Sequence, residues 1–564
     1  MSNNEPSATT SQPLPIGEIA GDLALDESAF EPYGRYAAKL SPDLQGRLVG
    51  RSIGKYVGVT AVSPTPLGEG KTVVAIGLAM ALSRIGSRSI VTLREPSLAP
   101  VFGIKGGGAG GGRARVLPQD DINLHFTGDL HAVSSANNLL AAMLDNHCRR
   151  ALNPAVDAKN IDWRRVVDMS DKGLAHIETG LVDSRQAPRR QTGFDLTAAS
   201  EVMSILALAT NLSDMRERLG RIIVSRDTCG KPVSAEDIGA AGAMAALLRL
   251  ALRPNLVQTS EHTPAIVHAG PFANISHGNS SVAADLLALK LADFVVTESG
   301  FGSDLGAEKF FDIKCRASGL RPDVEVLVCT ARALKYQSGR FDVRPGRPLP
   351  EEMLSEDVDA LRTGSVNLAA HLGVLRAFGV PTVVAINHFP SDTDTELQRL
   401  AELARDLGAE HVAVVNAFDR GGDGARELAE RVVTASTRPN GFDFLYPLDA
   451  SIEEKLQLIA TRIYGADAVV LDRTARIQVR QLTDWGYGGL PVCVAKTQYS
   501  LSHDPKLLGR PRGFRLPIRE LRLAAGAGFL LALTEGVNLM PGLPKVPAAT
   551  RIDVQRDGTI VGIR

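Results

Sequence analysis

The chain has 564 residues, too many for one hydrophobic core, so two to four packed domains are expected. Hydrophobic residues make up 44%, charged residues 22%, and the formal net charge is −1. That balance excludes a disordered or fibrous chain and argues against a uniformly basic binder of nucleic acid or membrane surfaces. Cys148, Cys229, Cys315, Cys329 and Cys493 are odd in number and form no CxxC pair, which argues against disulfides and structural zinc. No apolar run is long enough to span a bilayer.

Residues 1–14 form a polar tail without an apolar h-region or an arginine, so neither a signal nor a transit peptide is expected and the cytoplasm is the expected location. A helical stretch is expected around Ile16 to Lys39. The β-branched run Lys55 to Val62 is a buried strand by pattern, followed by a turn rich in proline and glycine, the helix pattern TVVAIGLAMALSRIG and a second strand, SIVTLRE. This βαβ unit predicts a mostly parallel sheet of P-loop type with flanking helices. Strand, helix and strand recur in VPTVVAIN, DTELQRLAELARDLG and HVAVVNAF, a second α/β unit. A polar connector runs near Val343 to Glu356, and from about Leu482 the chain becomes loop-rich. The expected organisation is an α/β domain over 15–365, a second α/β domain over 366–480 and a small C-terminal domain over 481–564.

The first segment that carries chemistry is TPLGEGKT, comprising Thr65, Pro66, Leu67, Gly68, Glu69, Gly70, Lys71 and Thr72, between a strand and a helix. Backbone amides in such a turn point at an anion, and a lysine followed by a hydroxyl reaches outer phosphates and magnesium. Thr65 stands where the usual GxxxxGK[ST] pattern has its first glycine. GIKGGGAGGGR, Gly103 to Arg113, has glycine at seven of eleven positions, too many for a helix or strand interior. It suggests close backbone approach to a ligand, with Lys105 and Arg94 as available cations. In DINLHFTGDLHAV, His125 and His131 are six apart, a spacing that disfavours a metal site; a structural histidine is the simpler reading, with proton transfer or hydrogen bonding by His125 or Asp129 as the alternative. Small and polar residues crowd two apparent strand ends, Val267 to Ser281 and Thr297 to Cys315, where parallel sheets bind ligands. Between glycines, Phe301 is either a ring for stacking on a flat ligand or ordinary core packing. VCTARALK places two cations after a strand, for a ligand or for a solvated helix start.

In this order the segments resemble formate–tetrahydrofolate ligase, from about Pro15 to the C-terminus. TPLGEGKT resembles the family's ATP-binding stretch, GIKGGGAGGGR its signature GIKGGAAGGGY, and VCTARALKYQSG its second signature VATVRALKMHGG. GFDLTAASEVM, EKFFDIKC, TQYSLSHDPKLLG and MPGLP also match or nearly match the family's text. The resemblance implies ligation of formate to tetrahydrofolate through formyl phosphate, with ATP and Mg2+ as cofactors and a nucleotide-binding, catalytic domain over 15–365. Lys71 would hold the outer phosphates, Thr72 would meet magnesium, and Arg94 would bind formate and then the acyl phosphate. Phe301 and Phe418 would stack on the folate, with Phe418 in the place of a family tryptophan, and Glu95 and Asp129 would contact it. The resemblance also implies a homo-oligomer, dimer or tetramer, activated by a monovalent cation, with neither nucleic acid nor membrane as partner. Departures at Ala99, Arg113, Arg115, Gln337, Ser338 and His388 raise a competing reading, a divergent ATP-binding paralogue with a regulatory role or an altered acceptor.

Overall fold

The computed structural model describes residues 12–105, 108–158, 161–181, 189–343 and 349–563. The expected tail is outside the described residues up to 11, and the Lys105 side chain and part of the 343–356 connector are outside them too. At Leu14 the chain is already anchored: its amide donates to Gln258 Oε1 (2.9 Å) and its carbonyl accepts from Gln258 Nε2 (2.7 Å).

The core is a sheet of twelve strands among the described residues. Its main strands are β1 (Lys55–Ala61), β2 (Ser89–Leu93), β3 (Asn255–Thr259), β4 (Pro264–Val267), β5 (Phe294–Glu298), β6 (Val324–Cys329), β7 (Thr382–Asn387) and β8 (His411–Val415). They lie in the order β3–β4–β2–β5–β1–β6–β7–β8. All neighbours in this run are parallel except β3 with β4. Helices cover both faces of a parallel sheet, and this explains why β1 is buried from Tyr56 to Ala61 and reads as a continuous run rather than an alternation. The second α/β unit extends the same sheet by β7 and β8.

The helix after β1, α1 (Lys71–Arg84), is buried from Val74 to Leu82 on every side. One side rests on the sheet and the other on the layer that contains Ala417 and helix Arg426–Ala435. Gly77 permits this approach, since a Cβ there would collide with Ala417.

The helix expected over 16–39 is shorter: it ends at Asp22. Pro32 and Gly34 (φ +73) interrupt the remainder, and Phe30–Pro32 pairs with Ala38–Leu40, which adds to the sheet beside β3. Pairing at an exposed sheet edge outweighs local helix propensity here.

A second apolar core gathers α2 (Asp129–Arg149), α3 (Glu201–Leu208) and helix Ala241–Leu248 against a three-stranded sheet of β9 (Val492–Ala495), β10 (Glu520–Ala524) and β11 (Phe529–Leu533). Glu201 fastens this junction, accepting from the amides of Gly526 (2.7 Å) and Ala527 (3.3 Å). No helix among the described residues is long and apolar enough to cross a membrane.

Burial raises the Glu201 pKa from the usual carboxylate value to about 7. Its ionisation is therefore harder in the folded protein than in the unfolded chain, so its contribution to stability declines as pH climbs from the ordinary carboxylate range to about 7 and is level above that. Glu201→Gln keeps an acceptor for the two amides and removes the slope. In thermal unfolding, the Tm of the variant relative to wild type should be more favourable at pH 8 than at pH 5; an equal difference at both would contradict the assignment.

Candidate active site

The chain leaves β1 through α1 toward β2, on one side of the sheet, and leaves β6 toward β7, on the other. Ligand crevices form at such a reversal, outside the carboxyl ends of the strands. The loop Thr65 to Gly70 occupies it. Left-handed φ values at Gly68 (+80) and Gly70 (+73) turn the loop into α1, whose N-terminal end, at Lys71, Thr72 and Val73, is the kind of helix end that can receive an anion. A Cβ at Gly70 would collide with the Asn387 side chain.

Glu69 sets the shape of this loop from inside, with only 1% of its surface exposed. One carboxylate oxygen accepts from the Thr65 amide (2.7 Å), the other from the Thr330 hydroxyl at the end of β6. Arg332 lies 3.5 Å from the same carboxylate, donates to the Gly68 carbonyl, and stacks on Phe389 at 3.6 Å from the ring centroid. The Asn387 amide, at the end of β7, donates to the Glu69 carbonyl (3.0 Å). Glu69 and Thr65 thus serve as loop scaffold, whereas Leu67 is exposed and Lys71 and Thr72 head the helix at partly exposed positions. The Thr72 hydroxyl donates to Glu298 Oε2 (2.7 Å) at the end of β5. A hydroxyl at a phosphate-binding helix end beside one carboxylate is a hard-oxygen set that suits Mg2+ accompanying a nucleotide.

Arg94 follows β2 directly. Its Nη1 donates to the Pro271 carbonyl (3.0 Å), and its Nη2 faces Gly300, where a Cβ would sit 3.3 Å away. Burial lowers its pKa, against the pull of the Glu298 charge. The next residue, Glu95, is buried, and its Oε2 has no hydrogen-bond partner among the described residues. Burial first, then repulsion from Asp129, pushes its pKa well above the carboxylate range despite Lys39 nearby. Asp129 itself is committed: Lys39 Nζ donates to both oxygens (2.9 and 3.0 Å) and Asn255 Nδ2 to one (3.0 Å). A further neighbour that no motif marks, Asp168, accepts from the Ser97 hydroxyl (2.6 Å) and the Leu98 amide (3.0 Å).

Phe301 is two residues beyond Ser299, between Gly300 and Gly302, and holds φ +63. Left-handed backbone at a bulky residue is a strained conformation that clusters at ligand sites. Phe418 has 51% of its surface exposed and rests on the glycine-rich hairpin. The Arg113 amide donates to its carbonyl (2.7 Å), a Cβ on Gly111 would press to 3.2 Å from its ring, and one on Gly112 would collide with its backbone. Glycines 111 and 112 therefore give Phe418 its seat. Phe301 and Phe418 form no ring pair with each other among the described residues. The two cations of VCTARALK separate: Arg332 braces the loop, and Lys335 is buried against Glu396 (2.5 Å). Of the two histidines, His131 approaches Ser135 (3.5 Å). A separate cavity of about 690 Å³, lined by Trp163, Arg164, Asp195, Trp485 and Arg522 among others, contains none of the residues of this site.

The family described as formate–tetrahydrofolate ligase matches residues 3–564. Proteins named formate–tetrahydrofolate ligase from Roseiflexus sp. (strain RS-1) and Saccharopolyspora erythraea are each 52% identical, over 549 and 552 residues, covering 97% of each chain. The relative from Desulforamulus reducens is 51% identical over 550 residues, covering 98% of this chain and 97% of its own. With matches of that length and identity, the chain belongs to the formate–tetrahydrofolate ligase family.

Proposed function

We propose that this chain joins formate to tetrahydrofolate with ATP, giving 10-formyltetrahydrofolate, ADP and phosphate through formyl phosphate. The observation that carries this reading is the meeting of the phosphate loop and a half-buried cation at one carboxylate, since Glu298 takes the Thr72 hydroxyl and lies in the electrostatic field of Arg94. An ATP γ-phosphate on the α1 terminus would thus be close to an anion held by Arg94.

In the first step a formate oxygen bonds to the γ-phosphorus and the bond to the ADP oxygen breaks. Phosphoryl transfer asks the protein for alignment and charge neutralisation rather than covalent help. Lys71 and the α1 amides neutralise the outer phosphates, and Arg94, desolvated, fixes formate and then the acyl phosphate. Mg2+ carried with ATP would be held at Thr72 and would offset phosphate charge. In the second step the folate amine bonds to the formyl carbon, and phosphate leaves with the amine proton. Phe301, and Phe418 on its hairpin, offer faces for the folate ring system. Burial and the nearby charge of Asp129 favour the protonated form of Glu95, which can donate a hydrogen bond to the folate.

The founding test is product formation from formate, MgATP and tetrahydrofolate, measured as methenyltetrahydrofolate after acid treatment. Product from wild type that vanishes in Lys71→Ala supports the ligase; ATP binding without product favours the regulatory paralogue. Phe301→Ala removes one stacking face, worth about 1–3 kcal/mol by analogy with base stacking, so KM for tetrahydrofolate should rise roughly 5- to 150-fold while KM for ATP holds. If both constants move together, Phe301 shapes the fold rather than the folate site. Glu95→Gln mimics the protonated acid. Wild-type transfer should fall as pH rises through the elevated Glu95 pKa, and the variant should lose that alkaline limb while keeping activity at neutral pH; an inactive, folded Gln variant would instead assign Glu95 as a base.

A further inference from the structure

Of the carboxylates beside the loop and the strand ends, Glu69, Asp129 and Asp304 are each paired with a cation, and Glu95 and Asp304, each with an unpaired oxygen among the described residues, are buried away from the crevice mouth. Glu69 is enclosed by Thr65, Thr330 and Arg332. Asp129 is paired with Lys39 and Asn255. Asp304, just past Phe301, accepts from the buried ammonium of Lys496 (2.6 Å). Glu298 differs: it is half-buried, one oxygen accepts from Thr72, and the other, Oε1, takes no hydrogen bond from the protein among the described residues.

Its backbone is fixed on both sides. The Asn279 amide donates to the Glu298 carbonyl (3.1 Å), and the next residue, Ser299, donates its amide to Val59 in β1 (2.8 Å). Because β5 pairs with β1 from Phe294↔Lys55 through Glu298↔Val59, the carboxylate is held at the mouth of the crevice in register with the strand that feeds the loop. An anionic group beside an anion-binding loop is unfavourable for a bare nucleotide. It becomes favourable when a divalent cation stands between them. Magnesium is commonly bound through one or two carboxylates together with substrate phosphates, retaining several waters.

We propose that Glu298 is the acidic anchor for the divalent cation that accompanies ATP, its free oxygen receiving the cation's hydration shell while its other oxygen orients the Thr72 hydroxyl. The same charge lies near Arg94, so one residue sets the spacing between the metal-bearing end of the nucleotide and the formate end of the site. The inference rests on the ATP-site reading above and gives a role to one residue of the strand-end segment Thr297 to Cys315.

The test is calorimetric ATP binding to full-length protein, with Mg2+ and again with EDTA, for wild type and Glu298→Gln. Wild type should bind MgATP more tightly than metal-free ATP. In Glu298→Gln the advantage conferred by Mg2+ should shrink by about 10- to 100-fold, the usual cost of losing an outer-shell partner, while metal-free affinity is unchanged or improved. An equal loss in both conditions would make Glu298 merely structural, and an undiminished Mg2+ advantage would overturn the proposal. Should Glu298→Gln fail to fold by circular dichroism, Glu298→Asp keeps the charge on a shorter arm, and the Mn2+ electron paramagnetic resonance spectrum of its MnATP complex should differ from wild type; an unchanged spectrum counts against the anchor. If wild type binds ATP in neither condition, the ATP-site reading fails first, a distinct result.

Discussion

The crevice end of this sheet depends on a carboxylate buried inside the loop that we propose receives the nucleotide phosphates. Glu69 would repel a phosphate if its charge were free. It is instead enclosed by the Thr65 amide, the Thr330 hydroxyl and the Arg332 guanidinium. Burying a charge costs several kcal/mol unless it is paired and hydrogen-bonded, so this arrangement requires the ends of β6 and β7 to close around the loop. Arg332 is in turn positioned by stacking on Phe389, just after β7, and Asn387 holds the Glu69 backbone. The three strand ends thus form one unit around the loop that leads into α1.

A division of labour among acids follows from their surroundings. Glu69 is enclosed by hydrogen bonds and a guanidinium, Asp129 is paired with an ammonium, Glu95 is driven toward its protonated form, and Glu298 keeps an open oxygen at the crevice. Four similar side chains therefore play four different parts, and the difference lies in partners between 4 and 261 residues away in sequence.

That separation decides what could be read without coordinates. The unit from β1 through the loop to α1 is local: the strand pattern, the turn glycines and the lysine–threonine pair all fall within Lys55–Arg84, and each was legible. The parallel sheet followed from the alternation of strands and helices. What could not be read was long-range pairing. The segment from Thr297 to Cys315 stood out as a strand end, but nothing in it announced that Glu298 meets Thr72 across 226 residues. Residues 23 to 40 leave the helix because a strand edge awaits them, and glycines 111 and 112 serve Phe418, more than 300 positions later. The burial of Lys335 against Glu396 was equally hidden in a segment that displayed two cations side by side.

The same geometry bears on the departures from the family text. Gln337 is buried, donates to the Tyr499 carbonyl (3.2 Å) and accepts from the Gly509 amide (2.8 Å), so it braces the segment that follows β9. Asn367 holds the other side of Gly509 through its carbonyl (2.8 Å), and Lys496 fixes the start of the segment through Asp304 and the Ser500 carbonyl (2.6 Å each). Ser338 turns its hydroxyl to the Lys335 carbonyl (2.6 Å). These two substitutions therefore change how a loop is secured to the sheet, not which groups face phosphate or formate. At these two positions the departures alter the scaffold and leave Lys71, Thr72 and Arg94, to which we assign the phosphate and formate contacts, unchanged, which is the pattern expected of the proposed ligase.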